Sequence, residues 1–500
     1  MASNVLPGWL TQIFTTNDAP SPGQHQEILN ALYPLRIQAT ELEDAIRTLS
    51  ALRDTTCNTV RLMESAIHPI RLLPDDILRE IFEHCVPWCR EDGTARDTFP
   101  NEPFSAAYYN IFNVCRNWRA VAHAHPRLWT VLVIGPRFHR DQSYTSTMNR
   151  IQHTVEITHA RAGSLPIRVH IPQSEKTIVG RELLLMVQTY GKQWGCMRIE
   201  GTTEEYDVLV ILLNESSLPS LHELSLVGLS SGLSETLHIP ALRHLRFEGA
   251  VQKTRNLFTP LSQITRCEFI NSSPDSLAQM VNLEELIISC GRVSKNWRKP
   301  REPPLVLPNL TFLRVTEIDG GRSTIIVPLF NHFRLPALRT LYVHLPDTWR
   351  GSLIALDPSL IPDSIASLSI ASDSIDGENA IRVTDFIRRS KHLHSLHVGG
   401  SQAPAILEML ATDLAVLSRL RNLYITPFDP ISLHDTAHSL KAFTSARMLA
   451  GYAPLGPLRV YMRALNRQDD QAALAIQCVG GQELQVVDGK FDTFDNVPHI

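Results

Sequence analysis

The 500-residue sequence lacks the features that mark membrane-spanning and secreted proteins. No apolar run approaches the roughly 18 to 20 residues that a helix needs to cross a bilayer. Residues 1–14 have neither a basic region nor a long apolar region, so we expect no signal peptide. The eight cysteines are scattered without the spacing of a disulfide framework, which favours a reducing cytoplasmic or nuclear compartment.

A large excess of charge of one sign is missing as well. Lys and Arg number 47 against 51 for Asp and Glu, which gives a formal net charge of −4 at pH 7. Proteins that bind polyanions usually carry a clear basic excess, so we expect neither nucleic acid nor a membrane as a partner. With 43% hydrophobic and 20% charged residues, the composition is typical of a globular chain with more than one domain.

Motifs of catalysis and of metal binding are also missing. The segment 320–324 reads Gly-Gly-Arg-Ser-Thr but has no lysine or preceding glycine at the spacing of a phosphate-binding loop. His84, Cys85 and Cys89 are close in sequence, yet no fourth ligand follows at finger spacing. Cys85 is better explained as the last core position of a helix. We therefore predict no catalytic, cofactor-binding or metal-binding residue, and no enzyme.

Two short amphipathic helices are predicted within residues 67–129. Pro74 suits a first helical position, and Asp75 and Asp76 favour the positive end of the helix dipole. One face of the first helix carries Ile77, Leu78, Ile81, Phe82 and Cys85. The second carries Ile111, Val114, Cys115, Trp118, Val121 and Ala122 at the same kind of spacing. So short a pair cannot bury both stripes alone, so we expect part of this surface to dock on a neighbour or partner.

This pattern resembles the F-box, the helical module by which substrate adaptors attach to SCF-type cullin–RING ubiquitin ligases. The resemblance rests on Leu-Pro at 73–74, on Val-Cys-Arg-x-Trp-Arg-x-Val-Ala at 114–122, and on Leu-Trp at 128–129. Residues 88–104 resemble the loop insertions of large fungal F-box-like families. The resemblance implies a Skp-family linker protein as a partner, bound by Leu73, Pro74, Ile77, Leu78, Ile81, Phe82, Val114, Cys115 and Trp118.

A long helix is predicted in front of this module. Residues 1–24 are rich in Pro, Ser, Thr and Asn, which predicts a disordered tail, and residues 25–66 form an amphipathic or coiled-coil helix. One heptad position is occupied by Ile28, Leu35, Leu42, Leu49, Thr56 and Met63. The other is occupied by Leu32, Ala39, Ile46, Arg53, Val60 and Ile67. Either two helices pair as a coiled coil, or a single helix packs its stripe on the following domain. Arg53 and Thr56 slightly favour the second alternative.

Behind the module, a triplet of one leucine, two residues, an apolar residue, one residue and an apolar residue recurs. The triplets are Leu221/Leu224/Leu226, Leu242/Leu245/Phe247, Ile264/Cys267/Phe269, Leu283/Leu286/Ile288, Leu310/Leu313/Val315, Leu338/Leu341/Val343, Ile365/Leu368/Ile370, Leu393/Leu396/Val398 and Leu420/Leu423/Ile425. From Leu283 onward they recur every 27 or 28 residues, the period of leucine-rich repeats. We predict an α/β fold in which residues 130–464 form a leucine-rich-repeat solenoid with one parallel sheet. Residues 465–500 would form a C-terminal cap or tail.

Residues between the buried positions of each triplet should point out of the sheet, because side chains alternate along a strand. The polar and aromatic members of this set favour protein recognition. The predicted target-binding residues are Phe312, Arg314, Tyr342, His344, His397 and Tyr424. Upstream, the same face would carry Glu223, Ser225, His244, Arg246, Glu248, Arg266 and Glu268.

The hypothesis is a substrate-recognition adaptor, with the F-box-like module binding the linker and the repeats binding an unknown target protein. One alternative is a repeat scaffold without a role in ubiquitination, in which the two helices only cap the solenoid. Another is a regulator such as a GTPase-activating protein, which would need an arginine on a rigid loop that the sequence does not identify. The first two differ in whether Pro74, Ile77, Leu78, Ile81 and Trp118 are exposed or buried.

Overall fold

The protein is seen in a computed structural model in which an N-terminal region of helices is followed along the chain by a large, mostly parallel β-sheet. The described residues are 8–16, 19–85, 106–134, 144–172, 186, 188–201, 218–228, 239–249, 261–271, 277–290, 304–317, 326–345, 362–372, 377–399, 403–426, 430–452, 458–462, 478–479 and 482–488. The insertion at 88–104 lies outside them, as does Cys89. The chain divides into two compact units, Met1–Leu78 and Arg79–Ile500.

The first unit consists of helices. Helix α1 (Gly8–Thr16) lies in the segment for which the sequence predicts a disordered tail; Trp9, Leu10 and Ile13 give it an apolar side at helical spacing. Helix α2 (Pro22–Ala66) follows, and helix α3 (Asp75–Cys85) begins here and crosses the unit boundary. A capping box fixes the start of α2 three residues earlier than predicted. The amide of Gln24 donates to Ser21 Oγ, while the Gln24 side chain accepts from the Ser21 amide.

The second helix predicted within residues 67–129 is two helices, α4 (Ala106–Asn113) and α5 (Arg116–Ala124). Cys115 is extended, with φ −160° and ψ 175°, and its Sγ accepts a hydrogen bond of 3.4 Å from the Trp118 amide. A sulfur thus serves as the cap that a serine or threonine usually provides. The break leaves Val114 exposed, although a continuous helix would have placed it on the apolar stripe.

The second unit is dominated by a 15-stranded sheet that includes every strand except β8 and β10, which form a separate pair. The strands are β1 (Val131–Val133), β2 (Ile167–Ile171), β3 (Trp194–Glu200), β4 (Glu223–Val227), β5 (His244–Glu248), β6 (Arg266–Ile270), β7 (Glu285–Cys290), β8 (Leu305–Val306), β9 (Phe312–Glu317), β10 (Phe333–Arg334), β11 (Thr340–Leu345), β12 (Ser367–Ser372), β13 (Ser395–Gly399), β14 (Asn422–Thr426), β15 (Leu458–Met462), β16 (Cys478–Val479) and β17 (Gln482–Asp488). In the large sheet, consecutive strands pair in parallel and in chain order up to β15 and β17, and β16 is antiparallel at the edge.

Helices occupy several of the connections between these strands. They are α6 (Tyr144–Ala162), α7 (Ile326–His332), α8 (Gly377–Arg389), α9 (Ala403–Ala411), α10 (Leu414–Arg419) and α11 (Pro430–Leu449). Parallel strands cannot be joined by tight hairpins, so each connection must run back along the sheet. Apolar residues of α8, α9 and α11, such as Ile387, Leu407 and Phe443, complete the core on that side.

The nine apolar triplets predicted from the sequence coincide with strands β4–β7, β9 and β11–β14. Leu341 pairs in register with Leu313 on one side and with Leu368 on the other, and all three are buried. Val343 is buried as well, while Tyr342 lies on the opposite face and is partly exposed. The prediction of strands in one parallel sheet, with Leu341 and Val343 inside and Tyr342 outward, is confirmed.

Each repeat is joined to the next by one carbonyl that accepts two hydrogen bonds. The amides of Thr311 and Phe312 donate to Glu284 O at 2.9 and 3.1 Å, and those of Arg339 and Thr340 donate to Thr311 O at 2.9 Å. The same arrangement recurs along the sheet from His222 O to His394 O. This pair of hydrogen bonds occurs at the start of strands β5–β7, β9 and β11–β14. It therefore fixes the residue at which each of these strands begins to pair with the preceding strand.

The sheet continues past residue 464, where the sequence predicts the end of the array. Strand β17 pairs in parallel with β15, with Leu484 beside Leu458 and Val486 beside Val460. The pattern Leu484, Val486 alternates as a strand should, but no leucine precedes it at the repeat spacing. The repeat signal therefore ends earlier than the strand pairing does.

We expect Leu341→Ala to lower the free energy of unfolding by about 2–5 kcal/mol, because it leaves a cavity in the middle of the leucine stack. Urea denaturation followed by circular dichroism measures this loss. The matched control is Thr340→Ala, one residue earlier on the outward face, which should cost less than about 1 kcal/mol. Equal losses for the two variants would contradict the burial pattern.

Candidate interaction surfaces

Four of the nine residues assigned to linker binding lie in the first unit. Pro74 is exposed, Ile77 is 45% exposed and Leu73 is half-buried. Leu78 is only 1% exposed, so it is a core residue rather than the docking contact that the resemblance implies. Consecutive residues point about 100° apart around a helix, which is why Ile77 and Leu78 have different environments.

The other five lie in the second unit. Phe82 is fully buried, with its ring centre 5.1 Å from that of Trp118, so it too is a core residue. Ile81, Cys115 and Trp118 are half-buried. Val114, at 53% exposure, is the most accessible of the five. Cys85, predicted as the last core position of α3, is exposed instead, because it lies in the final turn of the helix.

Charged and aromatic side chains stabilise the packing of the helices between residues 79 and 162 in the second unit. The Glu83 carboxylate lies 2.8 Å from His125 Nε2. The Arg161 guanidinium lies over the Trp129 ring, 4.3 Å from its centre, and donates to His123 Nδ1 at 2.6 Å. Burial and the neighbouring charge of Arg161 lower the pKa of His123. A neutral His123 can accept this hydrogen bond, so the lowered pKa and the contact agree.

Four of the six predicted target-binding residues form one partly exposed area of the sheet, which we call the aromatic patch: Phe312, Arg314, Tyr342 and His344. The Phe312 and Tyr342 rings lie 5.4 Å apart on the adjacent strands β9 and β11. Arg314 is the register partner of Tyr342. Burial raises the pKa of the Tyr342 hydroxyl, which therefore stays protonated and able to donate. Half-buried aromatic rings beside polar groups are the composition of protein-binding surfaces.

The remaining two, His397 and Tyr424, are buried and do not belong to an accessible surface. His397 Nδ1 shares a hydrogen bond of 2.7 Å with Ser369 Oγ on the next strand, and burial lowers the pKa of His397 to about 3. The pair has the distance of a nucleophile and its base, but neither side chain reaches solvent. The alternation of side chains along a strand correctly predicts on which face of the sheet His397 and Tyr424 lie. It does not predict whether they are accessible to solvent.

A second surface on the same sheet spans strands β2 to β7, and we call it the charged network. Its members carry both signs and form ion pairs within strands and between them: His170, Arg198, Glu200, Glu223, His244, Arg246, Glu248, Arg266, Glu268 and Glu285. Glu268 is its centre, with carboxylate oxygens 2.8 Å from Arg266 Nη2 and 3.3 Å from both Arg246 Nη1 and His244 Nε2.

These contacts shift the pKa values of the members strongly. Burial alone would raise the pKa of Glu268, but the hydrogen bond from His244 and the charge of Arg266 outweigh it and lower the pKa to about 2. Burial alone would lower the pKa of His244, but hydrogen bonds to Glu223 and Glu268 raise it to about 9. The Glu268 carboxylate and the His244 imidazole are therefore both charged near neutral pH, and each is paired within the chain.

Sequence analysis predicted the outward face of Glu223, His244, Arg246, Glu248, Arg266 and Glu268, but it missed the other four members and the network that all ten form. The signal was present: Arg198 and Glu200, Arg246 and Glu248, and Arg266 and Glu268 each place opposite charges two residues apart, on the same side of a strand. Reading them across repeats at the register of the buried leucines brings the opposite charges together. The network could therefore be predicted only from the register of the strands, and not from composition.

No family model matches the chain, and no curated protein is significantly similar to it in sequence. Among the residues that the structure describes, no helix combines the length and apolar character that crossing a membrane requires. Within the same ranges, no three His, Cys, Asp or Glu side chains are grouped as ligands of a metal ion. The described part of the sheet carries two groups of polar and aromatic side chains, the aromatic patch and the charged network.

We expect the stability of the sheet to fall as pH rises from about 7 to 9, because of His244. Its folded pKa of about 9 exceeds the unfolded value of 6.5, so its contribution is complete below pH 6.5 and is lost through pH 9. The slope approaches about 1.4 kcal/mol per pH unit. Urea midpoints measured across this range should be much less pH-dependent for His244→Gln. The control His153→Gln, an exposed histidine of α6, should keep the wild-type slope, and an unchanged slope in His244→Gln would rule the assignment out.

Proposed function

We propose that this protein is a substrate-recognition adaptor of an SCF-type cullin–RING ubiquitin ligase in a cytoplasmic or nuclear compartment. In this proposal, the F-box-like module binds a Skp-family linker, and a leucine-rich-repeat solenoid binds a target protein. The chain itself catalyses nothing. It holds a lysine of the target near a conjugating enzyme that carries ubiquitin, and so raises the effective concentration of that lysine at the enzyme.

One observation carries the linker assignment: the helix that follows Leu-Pro at 73–74 keeps apolar side chains exposed. Pro74 and Ile77 stay accessible at the start of α3, where Leu78 is fixed in the core. Asp75 and Asp76 stabilise this end of the helix through its dipole. An exposed isoleucine on a helix is a surface that a partner can bury with little loss of backbone conformational entropy.

The repeat assignment is supported by spacing and by register together. Strands β7, β9 and β11–β14 begin 27 or 28 residues apart, and each pairs with the next so that equivalent leucines stack. Repeats that bury their leucines only against neighbouring repeats are the defining property of a solenoid. A sheet face with the aromatic patch and the charged network would then be the place for a target.

The linker assignment is tested with the full chain and a purified Skp-family linker. Wild type should bind, and Ile77→Asp should weaken binding at least tenfold, because a carboxylate would be desolvated at the contact. The matched control is Val281→Asp, since Val281 is 44% exposed against 45% for Ile77 and lies among the repeats. Undiminished binding by Ile77→Asp would exclude α3 as the contact. Leu78→Asp is unsuitable, because a buried charge would unfold the module.

For the target, we expect Tyr342→Ala to cost more than about 1 kcal/mol of binding free energy. The two tyrosines Tyr342 and Tyr424 form a matched pair, because they lie on the same sheet face but only Tyr342 is accessible. The measurement is the affinity for a protein that wild type binds directly, with the free energy of unfolding of each variant alongside. Tyr424→Ala should lower stability and leave affinity nearly unchanged. The reverse outcome would place the target site elsewhere, such as in residues 465–500.

A repeat scaffold without a role in ubiquitination is the second candidate. It is favoured by the burial of Leu78 and Phe82, two of the nine residues implied for linker binding. In this reading, the helices stabilise the chain and leave the linker unbound. A folded wild-type protein that fails to bind any Skp-family linker at micromolar concentration would decide for this alternative.

A further inference from the structure

Helix α2 presents a long apolar stripe that is exposed in the part of the chain that the structure describes. It contains 45 residues, which corresponds to a length of about 68 Å, and none of its residues is buried. The stripe members Leu42, Ile46 and Leu49 are 58%, 64% and 65% exposed. Long helices in water owe most of their stability to packing of the apolar face. An uncovered stripe of this length therefore calls for a partner of similar length.

The arrangement of residue types along the stripe indicates what kind of partner fits. One heptad position holds leucine three times in succession, at 35, 42 and 49, and the other holds the β-branched Ile46 and Val60. In parallel coiled coils this combination favours two strands over larger bundles, so it is the number of strands, and not their direction, that it indicates. Pro34 interrupts the hydrogen bonds of the helix within the first heptad, and the leucines at 35, 42 and 49 follow it.

We propose that α2 pairs with α2 of a second copy of this chain as an antiparallel two-stranded coiled coil, making the protein a homodimer. The inference is independent of the proposed adaptor function, because it uses none of the residues assigned to the linker or to the target.

The area available is sufficient for a specific dimer. Nine of the eleven heptad positions between Ile28 and Met63 are apolar, and only Arg53 and Thr56 are not. Burying side chains of this size removes about 60 Å² of apolar surface each at the lower bound. The pair would thus bury about 1,000 Å² or more, the size at which specific interfaces begin. A second copy supplies the required length and spacing by identity, since its stripe is the same.

The two polar positions set the direction. In a parallel pair, Arg53 would face Arg53 of the second copy, which places like charges in the seam. In an antiparallel pair centred between Thr48 and its neighbour Arg47, Arg53 faces Leu42 and can extend its guanidinium to solvent. The facing positions are then Ile28 with Ile67, Leu32 with Met63, Leu35 with Val60, Ala39 with Thr56, and Ile46 with Leu49.

Charge at the edge of the seam agrees with this direction. Arg36 and Glu64 each occupy the position directly after a leucine or methionine of the stripe, Leu35 and Met63. In the antiparallel pair, Arg36 of one copy lies beside Glu64 of the other, and the contact occurs twice by symmetry. Small residues meet in the Ala39–Thr56 layer, and large ones meet in the others, so the layers match in size as well.

The dimer is tested by light scattering on the full chain during size-exclusion chromatography. Wild type should have twice the mass of one chain at micromolar concentration. Leu49→Glu should shift the dissociation constant upward at least a hundredfold, because it places two carboxylates in the central layers. The control is Leu62→Glu, since Leu62 is 73% exposed on the same helix but off the stripe. Leu62→Glu should remain dimeric. At concentrations low enough for both variants to be monomeric, Leu62→Glu and Leu49→Glu should have the same helix content.

Disulfide formation reads the direction, in a Cys57→Ser and Cys85→Ser background. Leu35→Cys alone should form no intermolecular disulfide, because the two cysteines would be about 37 Å apart. Leu35→Cys with Val60→Cys should cross-link two chains under mild oxidation. Cross-linking by Leu35→Cys alone would overturn the antiparallel direction.

A monomeric wild type at every concentration, or equal dissociation of Leu49→Glu and Leu62→Glu, would overturn the dimer and assign the stripe to a helix of another protein.

Discussion

The second unit depends on parallel strands that pair in one unbroken register. Each inner strand forms its sheet hydrogen bonds with its two neighbours, and each leucine of a triplet stacks on its equivalents there, within a core that the helices complete. Because side chains alternate, a slip of one residue would move a whole triplet to the outer face. The carbonyls that accept two amides at each strand entry, such as Glu284 O, prevent that slip. The positions of the outward-facing side chains of the sheet are therefore determined by this register.

The charged network shows what this constraint makes possible. Glu268 is 2% exposed, and an unpaired carboxylate there would be very unfavourable. Register places Arg246, Arg266 and His244 around it, so that burial and pairing oppose each other and the carboxylate stays charged. Such an arrangement stabilises little relative to an apolar core, yet removal of one partner leaves a buried charge. The network therefore penalises any other register more than it strengthens the correct one.

The parts of the fold that repeat could be predicted from the sequence, and the parts that depend on single contacts could not. The strand at Leu341 follows from spacing alone, because the same pattern returns every 27 or 28 residues. The break at Cys115 replaces a helix that periodicity makes continuous, because one cysteine caps α5 and no rule of spacing predicts this. Likewise, alternation places Tyr342 and Tyr424 on the same face, but only the packing around each decides which is accessible.

Exposed apolar residues have different meanings in α2 and at the start of α3. The stripe of α2 is regular over its whole length, and a surface of constant period is matched only by another helix of that period. Ile77 in α3 stands beside Pro74 with acidic residues between them, a short and irregular surface that suits a shaped cavity in a folded partner. The length over which apolar exposure repeats thus distinguishes association with an identical helix from recognition by a different protein.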